Sequence, residues 1–332
     1  MARRHSVLVL SKIGGLRAAF DAASLASKAS AIDLTWAAEV SADAIDDALA
    51  TADVVVGEPS AETVAMLPRA SQLRWFQSTF AGCNSMLALP ESHRGRFAVT
   101  RLAGTFGPDI GEYAALHVLA LERGLALNAA RQAEASWPDD ATRRASYRRL
   151  SSLTLGILGF GDIGRGICDR LGPRGLGMRV VGLRRGGGEA DDDVAAVYAP
   201  SALSSFLTEC DYMVSVLPET EETRGLLNGD ALAPCTPRSA VLINAGRGSL
   251  IDEAHIIRAL DLGYIRHYVG DVFPVEPLPP SSALWSHERV TVTPHVAAVT
   301  TPSDVAHCFG ANLERFVAGE PLAHTFDWER SY

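Results

Sequence analysis

A glycine-rich turn near the middle of the chain constrains the fold more than any other feature. The turn reads Gly159-Phe160-Gly161-Asp162-Ile163-Gly164; it follows the apolar run 153–159 and begins a helix-like stretch that ends near Leu171. Between a strand and a helix, the first glycine permits a tight turn, the second lets the backbone approach a pyrophosphate, and the third allows close helix–strand packing. The helix N-terminus adds unpaired N–H groups. We therefore predict that residues 159–164 bind a dinucleotide.

Short apolar runs alternate with helical stretches along the whole chain. Most runs are continuous, as expected for parallel strands buried on both faces, and helical stretches of about ten or more residues separate most of them. This βαβ alternation indicates an α/β fold with doubly wound parallel sheets. One helix is predicted from Asp109 to Ala135, and a last helix over about 303–318. Strands are predicted at 6–10, 52–56, 73–79, 97–100, 153–159, 179–183, 211–217, 239–244, 267–272 and 290–293.

Length and charge narrow the possible partners. A chain of 332 residues predicts about two domains. The net charge of −9 argues against nucleic acid as the main partner. No apolar run reaches the roughly 18 to 20 residues of a membrane span, so no membrane partner is expected. A local basic cluster is predicted to be an exposed helical face; it consists of Arg143, Arg144, Arg148 and Arg149.

The cysteines and the N-terminus favour a cytoplasmic protein. Five cysteines are scattered without CxxC or zinc-ligand spacing, which predicts buried thiols in a reducing compartment and no metal site. The apolar stretch after Met1-Ala2-Arg3-Arg4-His5 is too short for the core of a signal peptide.

Two arginines follow the strand 179–183, where NAD enzymes usually carry a carboxylate. Arg184 lies twenty positions beyond Gly164, and Arg185 comes next. A carboxylate there would repel a 2′-phosphate, whereas guanidinium groups can pair with it. The pattern favours NADP, with NAD possible; the alternative is two exposed arginines that begin a loop.

Three segments downstream carry an arginine, a glutamate and a histidine that could form one active site. Arg247 follows the strand 239–244 and can orient a carboxylate. His295 follows the strand 290–293 and can deliver a proton near neutral pH. Glu276, in a proline-rich loop, can favour the charged imidazolium. Taken one at a time, these three residues could instead be a surface arginine, a loop glutamate and a core histidine.

The order and spacing of these segments resemble the D-isomer-specific 2-hydroxyacid dehydrogenases over about residues 70–310. The stretch Glu276-Pro277-Leu278-Pro279-Pro280, with Thr293-Pro294-His295-Val296-Ala297-Ala298, is most similar to the glyoxylate/hydroxypyruvate reductase branch. The resemblance implies a Rossmann cofactor domain, residues 109–299, inserted into a flavodoxin-like catalytic domain, residues 1–108 and 300–332. It also implies a homodimer built through the cofactor domain and the long helix.

The resemblance implies further site residues. Asp271 matches the aspartate that contacts the nicotinamide carboxamide. The segment around Phe80, Ala81 and Gly82 resembles the substrate loop, whose N–H groups hold the carboxylate together with Arg247 and His295. Cys83-Asn84 departs from the family's Val-Asp. Two extra residues near Pro173 shift the strand alignment by a residue or two, so the resemblance does not rank Arg184 and Arg185 as partners of the 2′-phosphate. Other implied cofactor contacts are Leu217, Pro218, Thr223, Ala245, Gly246 and His295.

The leading hypothesis is an NADPH-preferring reductase of glyoxylate and hydroxypyruvate to D-2-hydroxy acids. One alternative is a dehydrogenase for a bulkier D-2-hydroxy acid. Another is a dinucleotide-sensing binding protein of the same fold.

Overall fold

The computed structural model describes residues 4–23, 25, 32–145 and 147–332. The chain forms two compact units. The first consists of Met1–Thr105 with Thr300–Tyr332, and the second is the uninterrupted segment Phe106–Val299. Each unit builds its own parallel sheet.

The first unit has a five-stranded sheet in the flavodoxin-like order β2-β1-β3-β4-β5. All of its strand pairs are parallel. The C-terminal helix Pro302–Ala318 belongs to this unit and begins with a capping box formed by Thr301 and Asp304. The strands are β1 (His5–Val9), β2 (Ile32–Trp36), β3 (Val54–Gly57), β4 (Trp75–Ser78) and β5 (Ala98–Thr100), and the other helices are α1 (Leu16–Ala22), α2 (Ala42–Thr51) and α3 (Ala61–Met66).

The second unit has a seven-stranded parallel sheet in the order β12-β11-β10-β9-β6-β7-β8. Six of its strands follow the Rossmann order, and β12 extends the edge. The strands are β6 (Thr154–Leu158), β7 (Arg179–Leu183), β8 (Ala196–Tyr198), β9 (Tyr212–Ser215), β10 (Ala240–Asn244), β11 (Ile265–Gly270) and β12 (Val290–Val292). The helices are α4 (Phe106–Glu122), α5 (Leu125–Ala133), α6 (Asp140–Ala145), α7 (Asp162–Leu171), α8 (Leu203–Glu209) and α9 (Glu253–Asp261).

The ten predicted strands are confirmed, whereas two edge strands were not predicted. In β2 only Ile32 is buried, and the three residues of β8 are all half-buried. An edge strand is covered on fewer sides. The residues of β2 alternate between apolar and polar, and β8, although it lies in the apolar run 194–199, has only three residues.

The prediction of one helix from Asp109 to Ala135 is wrong. The first helix begins earlier, at Phe106, and ends at Glu122. Gly124 then adopts a left-handed conformation, with φ 57°, and precedes a second helix, α5. A glycine at this backbone angle ends one helix without the steric cost that another residue would bear.

Register places the loops of the second unit along one edge. Leu158, at the end of β6, stands opposite Leu183 of β7 and Ser215 of β9. The same row continues through the last residues of the next strands, which are Asn244, Gly270 and Val292. All six following loops therefore leave the sheet at its carboxyl edge, where doubly wound sheets bind ligands.

The five cysteines are free and buried, as predicted. Burial raises the pKa of Cys168 to about 11 and that of Cys235 to about 12. Their thiols therefore stay protonated and unreactive at neutral pH.

The described part of the chain contains neither a candidate membrane span nor a candidate metal cluster. No helix in it combines the length and apolar character that crossing a bilayer requires. No three of its histidine, cysteine, aspartate or glutamate side chains are grouped so that they could hold a metal ion.

A buried ion network ties α4 to the sheet of the second unit. Glu122, whose side chain is 2% exposed, accepts hydrogen bonds from Arg148 at 2.5 Å, from Arg266 at 2.6 Å and from the Tyr212 hydroxyl at 2.6 Å. Burial disfavours the carboxylate, but the bonds from Arg148 and Tyr212 and the nearby charges outweigh it, and the pKa of Glu122 is lowered. Arg148 also pairs with Asp211 at 3.2 Å.

The network corrects one prediction from the sequence. Arg148 was assigned to an exposed helical face, yet it lies beyond α6 and joins two buried carboxylates. The side chains of Arg143 and Arg144 lie outside the described residues.

We expect Glu122→Gln to lower the free energy of unfolding of the second unit by about 3 kcal/mol at neutral pH, because two guanidinium groups lose their buried partner. The control is Glu112→Gln, since Glu112 is 68% exposed in its side chain. A carboxylate with a lowered pKa stabilises the fold above its ordinary titration range and loses this effect in acid. Urea unfolding should therefore show a difference from wild type that shrinks as pH falls below about 4. Equal unfolding of both variants at neutral pH would contradict the network's role.

Candidate active site

The glycine turn has the shape that a bound pyrophosphate requires. Gly159 has φ 99°, and its N–H donates to the Leu183 carbonyl at 2.9 Å. A side chain on Gly164 would come within 2.8 Å of the Gly159 carbonyl, so this position needs close packing. Gly161 is the N-cap of α7, and a side chain there would meet nothing within 4 Å. The open space thus lies at the helix N-terminus, where phosphates bind.

The loop after β9 is ordered by its own side chains. The Thr223 hydroxyl donates to the Pro218 carbonyl at 2.6 Å, and the Thr220 N–H donates to the Thr223 hydroxyl at 2.9 Å. Leu217 is the second residue of this loop and is half-buried. Hydrogen bonds within the loop therefore fix the shape of the segment that the sequence assigns to cofactor contacts.

Arg184 and Arg185 differ in their surroundings, although both are exposed. The Nε of Arg184 donates to the Gly187 carbonyl within its own turn. Arg185 instead forms an ion pair with Glu222 of the loop after β9, with an N···O distance of 3.3 Å.

Asn244 shapes the turn that carries Arg247. Its side-chain amide donates to the Arg247 carbonyl at 3.0 Å and accepts from the Gly246 N–H at 3.2 Å. The Ala245 N–H donates to the Ser215 carbonyl of β9 at 3.0 Å. The guanidinium of Arg247 donates to the Gly246 carbonyl at 2.6 Å. The turn after β10 is thus rigid at the base of the arginine side chain.

His295 and Glu276 are hydrogen-bonded, as the proposed pairing requires. The distance between His295 Nδ1 and Glu276 Oε2 is 2.7 Å. The other carboxylate oxygen, Oε1, accepts from the Phe273 N–H at 2.9 Å. A carboxylate only accepts hydrogen bonds, so Nδ1 carries the proton in this contact and Nε2 is the atom directed away from Glu276.

Asp271 holds the loop that carries His295. Its Oδ1 accepts from the Val296 N–H and its Oδ2 from the Ala297 N–H, both at 2.9 Å, and its carbonyl accepts from the His295 N–H at 2.9 Å. His295 has φ 55°, a left-handed conformation that costs about 1–3 kcal/mol outside glycine. The three bonds stabilise this conformation and so set the direction of the imidazole.

A chain of hydroxyl groups supports Asp271 from α4. The Thr293 hydroxyl donates to Asp271 Oδ1 at 2.6 Å, and the Tyr113 hydroxyl lies 2.7 Å from the Thr293 oxygen. Because the single proton of Thr293 goes to the carboxylate, Tyr113 is the donor in the second contact. Burial raises the pKa of Tyr113, so this proton stays in place.

Arg247, Glu276 and His295 line one cavity of about 270 Å³ in the second unit. The same cavity is lined by Glu219 and Arg224, which form an ion pair. The cavity thus combines the Arg247 guanidinium with an imidazole that is hydrogen-bonded to a carboxylate. This is an arrangement able to bind a small anion and protonate an oxygen atom of it.

Phe80, Ala81 and Gly82 lie in the first unit, directly beyond β4. The Ser78 hydroxyl accepts from the Phe80 N–H at 3.0 Å and donates to the Phe80 carbonyl at 2.9 Å. In the described residues, the N–H groups of Ala81 and Gly82 have no hydrogen-bond acceptor. The assignment of Phe80, Ala81 and Gly82 to the substrate site stays a prediction.

The sequence did not reveal four residues that shape the site. Thr293 lies within a segment already identified, and Asn244 ends the strand that precedes Arg247, so their position at strand ends was the available signal. Tyr113 lies inside a helix, and nothing in its neighbourhood marks it. Glu222 belongs to an acidic run that is typical of solvated loops.

A Rossmann-ordered sheet, a glycine turn at its carboxyl edge and an arginine, glutamate and histidine set define a nicotinamide-dependent oxidoreductase. The family described as D-isomer specific 2-hydroxyacid dehydrogenase, NAD binding domain, matches residues 115–297, more than half of the chain. The chain belongs to the D-isomer-specific 2-hydroxyacid dehydrogenases, and it is an NAD(P)-dependent oxidoreductase with the cofactor domain inserted into the catalytic domain.

Solved structures of similar proteins cover almost all of the chain. A family member from Aeromonas salmonicida subsp. salmonicida A449 is 34% identical, with a TM-score of 0.83, over 98% of this chain and 99% of that one. One from Xanthobacter autotrophicus Py2, in complex with NADPH and MES, is 29% identical, with a TM-score of 0.84, over 99% and 100%. An NADPH-dependent glyoxylate/hydroxypyruvate reductase from Sinorhizobium meliloti, with NADP and sulfate, is 28% identical, with a TM-score of 0.83, over 99% and 100%.

We expect Thr293→Val to loosen the loop that carries His295, because Asp271 loses one donor and Tyr113 loses its acceptor. Hydrogen exchange at the amides of Val296 and Ala297 should become about tenfold faster, the equivalent of one hydrogen bond. Thr293→Ser keeps the hydroxyl and should exchange like wild type. Unchanged exchange in the valine variant would show that the hydroxyl chain does not support the loop.

Proposed function

We propose that the protein is an NADPH-preferring reductase that converts small 2-keto acids, glyoxylate and hydroxypyruvate first among them, to D-2-hydroxy acids. The observation that carries the proposal is the 2.7 Å bond between His295 and Glu276 on the cavity that Arg247 also lines. The similarity to the NADPH-dependent glyoxylate/hydroxypyruvate reductase of Sinorhizobium meliloti supports this choice of substrates.

Each of the three side chains has one role in the proposed reaction. When bound, the nicotinamide supplies the hydride that the keto carbon receives. Arg247 pairs with the substrate carboxylate and polarises the keto oxygen. His295 delivers a proton from Nε2 to that oxygen, which completes the alcohol. Glu276, fixed by the Phe273 N–H, favours the imidazolium that holds this proton.

The cofactor and substrate contacts predicted from the sequence complete the proposal. The turn 159–164 holds the pyrophosphate, because its open side lies at the N-terminus of α7. Asp271 keeps acceptor capacity on Oδ2 for the nicotinamide carboxamide, since that oxygen accepts one bond. Phe80, Ala81 and Gly82 are retained as proposed substrate contacts. The other proposed cofactor contacts are Leu217, Pro218, Thr223, Ala245, Gly246 and His295.

An exposed apolar surface on α4, α5 and the following loop supports a homodimer. Leu116 is 59% exposed, Leu125 61%, Leu127 53% and Trp137 86%. Large exposed apolar side chains favour association. Light scattering should give twice the chain mass for wild type and the single mass for Leu127→Glu.

We expect Arg247→Ala to lose at least about a hundredfold in kcat/KM, because a charged group that stabilises the transition state contributes about 3 kcal/mol or more. NADPH binding, measured by fluorescence titration, should stay within about threefold of wild type. Arg258→Ala is the control, since Arg258 is on α9 and pairs with Asp230. Wild-type turnover of glyoxylate by the alanine variant would remove Arg247 from the site.

We expect Glu276→Gln to move the pH–rate profile. Loss of the carboxylate removes the interaction that favours imidazolium, so reduction should weaken at a lower pH than in wild type. The control is Glu288→Gln, because Glu288 is 88% exposed in its side chain. A Glu276→Gln profile of kcat/KM that superimposes on the wild-type profile would refute the pairing.

We expect wild type to use NADPH with a kcat/KM about one to two orders of magnitude above that for NADH. Charge-assisted bonds to the 2′-phosphate contribute about 1.5 to 3 kcal/mol, and each 1.4 kcal/mol is about tenfold. Arg184→Asp with Arg185→Ala should reverse the order, because it removes the attraction and adds repulsion. Absorbance assays of NADPH and NADH consumption over a panel of keto acids measure this cofactor preference. Equal use of the cofactors by wild type would mean that the arginines only face solvent.

A further inference from the structure

The ion pair between Arg185 and Glu222 joins two loops at the carboxyl edge of the second sheet. Arg185 lies two residues beyond β7, and its Nη2 is 3.3 Å from Oε2 of Glu222, in the loop after β9. The side chains are 50% and 72% exposed. An ion pair this open to solvent is weak, so another anion can replace the carboxylate.

The two loops flank the glycine turn. Both β7 and β9 pair with β6, and the turn begins directly after Leu158 at the end of β6. The Arg185–Glu222 pair therefore connects the loops on either side of the predicted pyrophosphate site. Dinucleotides bind in this crevice of a doubly wound sheet, with the ribose near the end of the strand that corresponds to β7.

Only one of the two arginines is turned toward the neighbouring loop. The Nε of Arg184 donates to the Gly187 carbonyl, and a side chain on Gly188 would lie 2.5 Å from the Arg184 guanidinium. Arg184 is thus folded onto its own turn. Arg185 is the guanidinium that the structure presents across the crevice.

The backbone near Glu222 is fixed. Hydrogen bonds between Thr220 and Thr223, and from Thr223 to the Pro218 carbonyl, close the turn that carries it. The carboxylate is therefore kept within reach of Arg185 by the loop.

We infer that Glu222 is a specificity-determining residue that limits the preference for NADPH by competing with the 2′-phosphate for Arg185. The inference rests on the cofactor preference proposed above. A phosphate monoester carries about −1.5 to −2 charge at neutral pH, and it must displace Glu222 from Arg185 before it can pair with that guanidinium. A ribose 2′-hydroxyl is neutral and meets no such penalty. Glu222 thus weakens NADPH binding and leaves NADH binding nearly unchanged.

Calorimetric binding of two cofactor fragments tests the inference without turnover. Glu222→Gln should bind 2′,5′-ADP about threefold to tenfold more tightly than wild type does, and 5′-AMP within about twofold. Glu221→Gln is the matched control, because Glu221 is the exposed neighbour and has no ion pair among the described residues. The gain should shrink at 1 M salt, where the Debye length falls to about 3 Å. In an Arg185→Ala background, Glu222→Gln should change 2′,5′-ADP binding by less than about twofold.

The outcomes separate this inference from the proposed function. Equal affinity of wild type for 2′,5′-ADP and 5′-AMP would overturn the NADPH preference; a gain for 2′,5′-ADP in Glu222→Gln would still support the role of Glu222. If wild type prefers 2′,5′-ADP but Glu222→Gln binds it no more tightly, the role of Glu222 is overturned and the NADPH preference stands. The same holds if Glu221→Gln gains as much affinity as Glu222→Gln. A full gain without Arg185 would overturn the competition for that arginine.

Discussion

The buried carboxylate of Asp271 is the group on which the geometry of the candidate site depends most. Asp271 is 1% exposed, and it accepts two backbone N–H groups and the Thr293 hydroxyl. These bonds hold His295 in a left-handed conformation that its own backbone disfavours. Only with this backbone in place does Nδ1 meet Glu276 at 2.7 Å. The strain at one residue is thus offset by the hydrogen bonds of an almost fully buried carboxylate.

Register explains why residues far apart in the sequence meet. Six strands of the second sheet end in one row, so the residues that follow them begin six loops at the same edge. Gly159, Arg184, Ala245, Asp271 and Thr293 each stand directly after such a strand end. A parallel sheet brings its carboxyl ends together whatever the length of the intervening helices. The binding surface is therefore a consequence of the order of the strands.

The features predicted from the sequence are those that a local pattern encodes. The glycine turn, the central strands and the segments that contain Arg247, Glu276 and His295 were predictable, because periodicity and special residues mark them. The interruption of the long helix depends on one backbone angle at Gly124. The edge strand β2 alternates apolar and polar residues, and the edge strand β8 has only three residues. The support of Asp271 by Tyr113 joins residues 158 positions apart, and no local pattern encodes such a contact.

The central claim is that this chain transfers a hydride and a proton to a 2-keto acid to give the D product. Incubation of the purified protein with NADPH and hydroxypyruvate, followed by chiral chromatography of the product, tests it most directly. The account predicts stoichiometric formation of D-glycerate with consumption of NADPH, and none when His295→Ala replaces wild type. Formation of L-glycerate, or an undiminished yield from His295→Ala, would contradict it.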